Sequence, residues 1–270
     1  MYKYYRNKCL VRSPSEQRKI WGMPRERHAT VSVITHKVND FTAVDNYLAD
    51  CEEQFQVDYI KQMRYPTEQS WNSVMTLLNA EFNRRGKNIV LECLQFGGNK
   101  EFWKSFPDED EIYMYFRNCY SFAVDKVGYL HTDDNIICAV IVTEWNRRNL
   151  FVYYLPITDK WQVKVMSNNR SEKGNKLQQY DELGNPVYTS MRNIYRPRLS
   201  HSEFWKQRGG LISYSNLQED FYTEVSKRYG AKRGESLSLI KNTTPEQRDR
   251  FNRHTGDDYD ELYFDDLPYG

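Results

Sequence analysis

Two apolar runs separated by a short polar segment, at 136–143 and 150–157, constrain the fold of this chain more than any other sequence feature. Both runs are rich in the β-branched and aromatic residues that favour strands. The six residues between them, EWNRRN, predict an antiparallel hairpin with Arg147 and Arg148 at its tip. A third run at 161–166 follows a turn and suggests a three-stranded meander.

The other predicted elements alternate irregularly between strands and helices. Strands are predicted over 2–11 and 89–96, and helices over 42–63, 68–84, 101–106, 110–127 and from about 213. Another helix is predicted to begin after Ser200, with Glu203 completing a capping box. Residues 12–30 are predicted as a loop and 167–199 as a long polar surface loop. Because the strands cluster as hairpins, the sequence favours an α+β fold with an antiparallel β-sheet covered by helices.

The composition limits the kinds of partner that the whole chain can attract. Aromatic residues make up 15% of it, which provides ample surface for a core and excludes a generally disordered chain. The formal net charge is only +1, so the chain has no overall attraction for nucleic acid. Any contact with DNA must therefore come from a local basic patch.

The cysteines predict a reducing environment. They are widely spaced and form no C-x-x-C pair, which argues against a disulfide framework or a zinc ribbon. We expect buried thiols at Cys9, Cys51, Cys93, Cys119 and Cys138. The chain begins without a signal-peptide apolar region, and no apolar stretch is long enough to span a membrane. A cytoplasmic protein with no membrane partner is expected.

The histidines do not predict a metal site. The five of them, at 28, 36, 131, 201 and 254, show no H-x-H, H-x-x-H or H-E-x-x-H spacing. His131 precedes Thr-Asp-Asp, a combination that favours a turn. The sequence therefore predicts no bound metal and no other cofactor.

The segment 135–156 resembles the metal-binding hairpin of the plasmid mobilisation and recombination relaxases, the Mob/Pre family. In that family a strand leads into His-x-Asp-Glu-x-x-Pro-His-x-His, and a second strand leaves this motif. Aligned without a gap, the family histidines fall on Val142, Asn149 and Phe151. The Asp and Glu of the motif fall on Glu144 and Trp145.

The resemblance extends over 20–236. The strand at 89–96 with its following aromatic helix, the stretch 217–225, and Arg25-Glu26-Arg27 all have counterparts in the family, and Pro24 falls at the family's nucleophilic histidine. This implies a relaxase-like (HUH endonuclease-like) domain over 1–236 that includes the loop 167–199. The C-terminal extension, 237–270, ends in an acidic tail interleaved with aromatic residues that has no basic residue after 256.

The resemblance implies a relaxase-like function with a degenerate active site. A relaxase holds a divalent cation through three imidazoles or a carboxylate, whereas Val142 and Phe151 offer no lone pair. The leading hypothesis is a pseudoenzyme of a mobile element or phage that binds single-stranded DNA or a partner protein. One alternative is an active nicking enzyme that uses Glu144 or His28, with a cation recruited by the DNA. The other is a protein–protein interaction module without DNA binding.

The candidate DNA contacts are six arginines in three places along the chain. They are Arg147 and Arg148 at the predicted hairpin tip, Arg25 and Arg27 in a loop beside His28, and Arg196 and Arg198 next to Tyr195. For each group the alternative interpretation is a solvated tip or loop without a ligand.

Overall fold

The computed structural model describes residues 27–37, 40–61, 66–82, 89–144, 147–170 and 176–233. The predicted strand at 2–11 lies outside these residues, as do Cys9, Pro24, Arg25 and Trp145. The C-terminal extension at 237–270 also lies outside them.

A five-stranded antiparallel sheet forms the centre of the domain. Its strands are β1 (Ala29–Lys37), β2 (Gln56–Lys61), β3 (Ile89–Gly98), β4 (Ile136–Glu144) and β5 (Arg147–Tyr154). Their order across the sheet is β1-β3-β5-β4-β2, and every neighbouring pair is antiparallel. The predicted antiparallel hairpin of 136–143 and 150–157 is confirmed as β4 and β5, and β3 pairs with β5 beside it. The α+β fold class is confirmed.

Helices cover both faces of this sheet. They are α1 (Phe41–Gln54), α2 (Glu68–Leu77), α3 (Lys100–Trp103), α4 (Glu109–Val127), α5 (His201–Gln207) and α6 (Ser213–Glu224). On one face, Phe96 of β3 packs against Phe122 of α4 and Phe221 of α6. On the other face, Phe151 of β5 packs against Tyr47 of α1. We call these the α4 face and the α1 face, because side chains alternate between them along each strand.

The third apolar run does not join the central sheet, so the predicted three-stranded meander is wrong. After β6 (Ile157–Thr158), the chain forms β7 (Lys160–Lys164), β8 (Met166–Arg170), β9 (Lys176–Gln178), β10 (Tyr188–Arg192) and β11 (Arg198–Leu199). β7 pairs with β10, β8 with β9, and β6 with β11. The described residues of the segment 167–199 are mostly exposed, as expected, but the interpretation as a plain loop is wrong because the segment contains β9, β10, β11 and most of β8.

Three further boundaries differ from the sequence predictions. The helix predicted over 42–63 ends at Gln54, because Gln56–Lys61 pairs with β4 as an edge strand. The predicted loop at 12–30 overlaps the start of β1, whose pairing with β3 extends through 29–37. The helix predicted over 68–84 ends at Leu77, and Asn79 then adopts a left-handed conformation that terminates it.

Ser200 caps α5 as predicted. Its hydroxyl oxygen accepts a hydrogen bond from the backbone N–H of Glu203 at 3.4 Å. The backbone N–H of Ser200 donates to the carbonyl of Pro156 at 3.0 Å. This N–H therefore bonds the chain after β5 and not the Glu203 side chain. The second hydrogen bond of the predicted capping box is not used.

A buried carboxylate joins α5 to the sheet. Glu92 of β3 is fully buried and accepts hydrogen bonds from the Tyr154 hydroxyl at 2.5 Å and the Trp205 indole N–H at 2.9 Å. Its other oxygen lies 2.6 Å from Nδ1 of His201. A charge in the core is tolerated only when it is fully hydrogen-bonded, so this network fixes the position of α5.

The four cysteines among the described residues are buried thiols without disulfides: Cys51, Cys93, Cys119 and Cys138. Burial raises the pKa of Cys138 to about 12. It raises the pKa of Cys51 to about 11, with a contribution from the Glu144 carboxylate and against a hydrogen bond with Tyr47. Cys51 and Cys138 therefore stay protonated near neutral pH. All four thiols pack as small apolar groups, as predicted.

No helix among the described residues is long and apolar enough to cross a membrane.

Candidate nucleic-acid interface

Four polar side chains lie together on the α1 face, at the end of the sheet that carries the β4–β5 hairpin. Ser32 pairs with Gln95 across β1 and β3, and the Gln95 amide donates to Oδ1 of Asn149 at 3.3 Å. Thr30 pairs with Gly97 and is exposed, whereas the other three polar side chains are half-buried. We call Thr30, Ser32, Gln95 and Asn149 the hairpin-end patch.

Gly97 provides the space for the Asn149 amide. A Cβ atom at position 97 would lie 2.6 Å from Asn149 Oδ1 and 3.7 Å from the Thr30 hydroxyl. The missing side chain therefore lets the amide extend from β5 across β3. The patch presents amide and hydroxyl groups that can both donate and accept hydrogen bonds.

Arg147 and Arg148 do not form one basic patch. Arg147 is exposed and lies opposite Glu144 in the register of β4 and β5. Because side chains alternate along β5, Arg147 lies on the α1 face with Asn149. Arg148 belongs to the α4 face, where its guanidinium bonds Glu109 of α4 at 2.6 Å. Of the two predicted contacts, Arg147 alone adds a charge to the side of the hairpin-end patch.

Val142, Asn149 and Phe151, which align with the metal-binding histidines of the Mob/Pre relaxases, lie close together in the structure. Val142 lies directly opposite Asn149, and Phe151 lies two residues further along the same face of β5. Val142 is 3% exposed and Phe151 is 4% exposed, so both are packed as core residues. Their backbone arrangement would bring three side chains together, but the side chains present are not ligands.

These side chains do not fit a divalent cation. Glu144 is half-buried and could supply one carboxylate, while the Asn149 oxygen already accepts from Gln95. Within the described parts of the chain, no three His, Cys, Asp or Glu side chains are grouped to hold a metal ion. One carboxylate and one amide fall short of the ligand set that a hydrolytic metal centre needs.

The segment of Arg27 and His28 leads directly into the hairpin-end patch. The His28 backbone N–H donates to the Asn99 side chain at 3.2 Å, and the His28 carbonyl accepts from the Asn99 N–H at 2.9 Å. The Arg27 carbonyl accepts from Lys232 N–H at 2.7 Å, and its side chain is exposed. These bonds hold His28 two residues before Thr30. The roles proposed for Arg27 and His28 in ligand contact remain predictions.

Arg196 and Arg198 lie at the opposite end of the sheet. Both pair with Glu81, at 2.7 Å and 3.3 Å, and the Arg198 guanidinium lies 4.1 Å from the centre of the Trp161 ring. Arg198 belongs to β11, which pairs with the strand that follows β5. The eight residues of β5 span roughly 25 Å, so these two arginines cannot share a contact with Arg147.

The architecture is that of HUH-type relaxase domains. One solved structure with this fold is the MobM relaxase domain (MOBV, Mob/Pre) bound to a 26-nucleotide oriT DNA of plasmid pMV158, with a TM-score of 0.50. It is 14% identical, over 82% of this chain and 99% of that domain. A second MobM structure, with manganese and a 22-nucleotide oriT DNA, is 13% identical over 83% of this chain and 99% of its own, with a TM-score of 0.49. No family model and no curated protein matches the chain. The similarity confirms the relaxase-like fold that the sequence resemblance predicts.

Three residues of the hairpin-end patch, Thr30, Ser32 and Gln95, were not among the site residues predicted from the sequence. Gln95 and Glu92 are polar residues within the otherwise apolar strand IVLECLQF, and this interruption is the signal that was available. Thr30 and Ser32 carried no such signal, because the segment around them has ordinary strand alternation. His131, by contrast, lies in a turn as predicted, with a positive φ of 60°.

Proposed function

We propose that this chain is a catalytically degenerate relaxase-like protein of a mobile element, which binds single-stranded DNA without cleaving it. The observation that carries the proposal is that the described positions aligned with the family's metal-binding histidines hold hydrogen-bonding and core side chains. Asn149 is half-buried and bonds the Gln95 amide. Val142 and Phe151, at the other two aligned positions, are packed as core residues. The protein would act in the cytoplasm, where the DNA of the element is exposed.

The hairpin-end patch is suited to a flexible polyanion. The amides of Gln95 and Asn149 and the hydroxyls of Thr30 and Ser32 can bond phosphate oxygens or base edges. Arg147 adds a positive charge on the same side, opposite Glu144 in the strand register. Beside it, the half-buried Tyr47 ring packs edge-on against the buried Phe151 ring. The MobM domain with this fold binds oriT DNA, which supports DNA as the ligand in preference to a protein.

Arg147→Ala should weaken binding of single-stranded DNA and make the dependence of log K on log salt shallower by about 0.7, the contribution of one phosphate contact on a single strand. Arg148→Ala is the matched control. It removes the same charge from the adjacent residue, on the face that contacts Glu109. Fluorescence anisotropy over a salt series measures both variants.

The control variant should keep the wild-type salt slope and lose only about 0.5 kcal/mol of unfolding free energy, since Glu109, the partner of Arg148 in the ion pair, is exposed to solvent. Equal effects of the two substitutions on DNA binding would contradict the assignment of the α1 face. Wild-type protein that shows no single-strand binding at low salt would favour the protein-interaction alternative.

The wild-type chain should neither bind Mn²⁺ in isothermal titration calorimetry nor nick a supercoiled plasmid in the presence of Mn²⁺ or Mg²⁺. Val142→His with Asn149→His and Phe151→His should gain measurable Mn²⁺ binding, because the three positions are adjacent on one face. A matched variant with alanine at these positions should not bind the ion. Chelator-sensitive nicking by the unaltered protein would establish the active-enzyme alternative and refute degeneracy.

A further inference from the structure

Leu130, in the loop after α4, has a left-handed backbone conformation that is unusual for a bulky residue. Its φ is 53° and its ψ is 33°, and His131 follows with a φ of 60°. The bonds on either side enforce this conformation: the Tyr129 N–H donates to Asn135 Oδ1 at 2.8 Å, and the Tyr129 carbonyl accepts from the Thr132 N–H at 3.0 Å. In the left-handed region a Cβ atom is crowded by the backbone, so glycine would be relaxed at position 130 and leucine is strained.

The strain at Leu130 is not compensated by burial. The leucine is 57% exposed, so most of its apolar surface stays in contact with water. Strained backbone persists only where the surrounding structure holds it, and it is concentrated at functional sites. A leucine that is both strained and exposed therefore indicates a surface used for binding.

Three chain segments meet around this loop, at the end of the sheet opposite the hairpin tip. The Tyr129 hydroxyl donates to the Ile194 carbonyl at 3.0 Å, which joins the loop to the segment 193–198. The Asn79 amide donates to the Tyr195 carbonyl at 3.0 Å, which joins the same segment to the chain after α2. Four apolar side chains are exposed here, and we call them the distal patch: Leu77 (71%), Leu130 (57%), Ile194 (40%) and Tyr195 (83%).

Acidic and basic side chains flank the distal patch on different sides. Asp125 and Asp134 are exposed carboxylates at the ends of the loop after α4. Arg192 and Arg196 are exposed cations in and beside the segment 193–198. Each arginine forms its ion pair through Nε, at 2.7 Å, and a guanidinium carries further N–H donors on its terminal nitrogens. Both signs of charge are therefore presented around an apolar centre.

We infer that the distal patch is the contact between two copies of this chain related by a two-fold axis. The same surface is used twice in such an interface, so the acidic side of one copy faces the basic side of the other. Leu130 and Tyr195 pack at its centre, where apolar and aromatic anchors contribute most to binding. The formal net charge of +1 adds almost no repulsion between the copies.

The charge distribution favours a second copy over DNA as the occupant. A DNA-binding surface carries an excess of cations, whereas the distal patch has carboxylates along one side. The inference does not rest on the proposed function. The hairpin-end patch lies at the other end of β5, roughly 25 Å away, so pairing through the distal patch leaves both hairpin-end patches exposed.

Sedimentation velocity of the full chain over a concentration series tests the inference. We expect a monomer–dimer equilibrium with a dissociation constant of roughly 10 µM, as for a small interface with few anchors. Leu130→Gly should raise this constant about tenfold, because it removes an anchor. The urea midpoint of the monomeric variant should be unchanged or higher, because glycine adopts the left-handed conformation without strain. Weaker association without a loss of stability is the result that a purely structural leucine would not give.

Two further variants complete the test. Tyr195→Ser should also weaken association about tenfold. Leu183→Gly is the matched control, since Leu183 is 87% exposed in a different turn and its loss should leave the dissociation constant unchanged. None of the three substitutions should alter the affinity for a labelled single strand in anisotropy.

Three results would overturn the inference. The first is a wild-type chain that stays monomeric at roughly ten times the expected constant, about 100 µM. The second is a dimer that Leu130→Gly and Tyr195→Ser leave intact, which would mean that another surface joins the copies. The third is a lower urea midpoint in Leu130→Gly, which would mean that the leucine supports the fold of the monomer.

Discussion

Asn135→Asp is expected to destabilise the domain by about 3–5 kcal/mol, the cost of leaving a buried charge uncompensated. Asn135 is fully buried just before β4. Its side-chain oxygen accepts from the Tyr129 N–H at 2.8 Å, and its amide nitrogen donates to the carbonyls of Val127 at 2.9 Å and Leu155 at 2.8 Å. Aspartate has the same shape but would direct a carboxylate oxygen at two carbonyl oxygens.

The matched control for this substitution is Asn193→Asp. The Asn193 side-chain oxygen accepts from the backbone N–H groups of Tyr195 and Arg196, both at 3.1 Å. A carboxylate preserves these bonds, so the unfolding free energy should change by less than about 0.5 kcal/mol, as expected for a surface position. Urea denaturation measures both variants. A small loss in Asn135→Asp would mean that the side chain is not the link between α4, β4 and the end of β5.

Glu92→Ala is expected to cost about 3–5 kcal/mol, because it leaves several buried donors without an acceptor at about 1–3 kcal/mol each. The Tyr154 hydroxyl and the Trp205 indole lose their shared oxygen, and His201 loses its partner. Burial lowers the pKa of the nearby Arg208, and the electrostatic attraction of the Glu92 carboxylate opposes this effect. Removing the carboxylate therefore also weakens the compensation of a cation.

Two further variants make this prediction specific. Glu101→Ala removes a carboxylate from a surface pair with Lys104 at 3.5 Å and should cost less than about 1 kcal/mol. The loss of unfolding free energy in Glu92→Gln should lie between the losses in Glu92→Ala and Glu101→Ala, because the glutamine amide keeps the side-chain volume and one acceptor oxygen. Since α5 contacts β7, amide hydrogen exchange in Lys160–Lys164 should accelerate in Glu92→Ala and not in Glu101→Ala. Equal stability of Glu92→Ala and Glu101→Ala would show that the network does not hold α5.

The two networks explain how the hairpin that carries the candidate DNA surface, and the strand β7, are kept in position. Asn135 joins the entrance of β4 to the exit of β5, so it supports the hairpin whose other end carries Arg147. Glu92 joins β3 and β5 to α5, and the Gln207 side chain of α5 donates to the Lys160 carbonyl of β7. Binding surfaces on rigid elements lose less conformational entropy on association, which is why buried polar groups can be maintained for a surface function.

The local sequence pattern was sufficient to predict the central hairpin and the main helices. The apolar runs on either side of EWNRRN specify β4 and β5, and the spacing of Ile112, Phe116 and Cys119 specifies α4. The cap at Ser200 was also predictable, because a helix N-terminus depends on residues only three apart. The sequence alone likewise shows which side chains occupy the positions aligned with the metal-binding histidines of the Mob/Pre relaxases.

The tertiary structure decided what depends on pairing between distant segments. β2 is a strand because it lies along β4, and β7 leaves the sheet because its partner is β10, more than twenty residues away. The opposite directions of Arg147 and Arg148, the convergence of Gln95 on Asn149, and the partners of Glu92 follow from sheet register. Local propensity contains no information about register between strands far apart in sequence, because their pairing is set by the burial of each face in the complete fold.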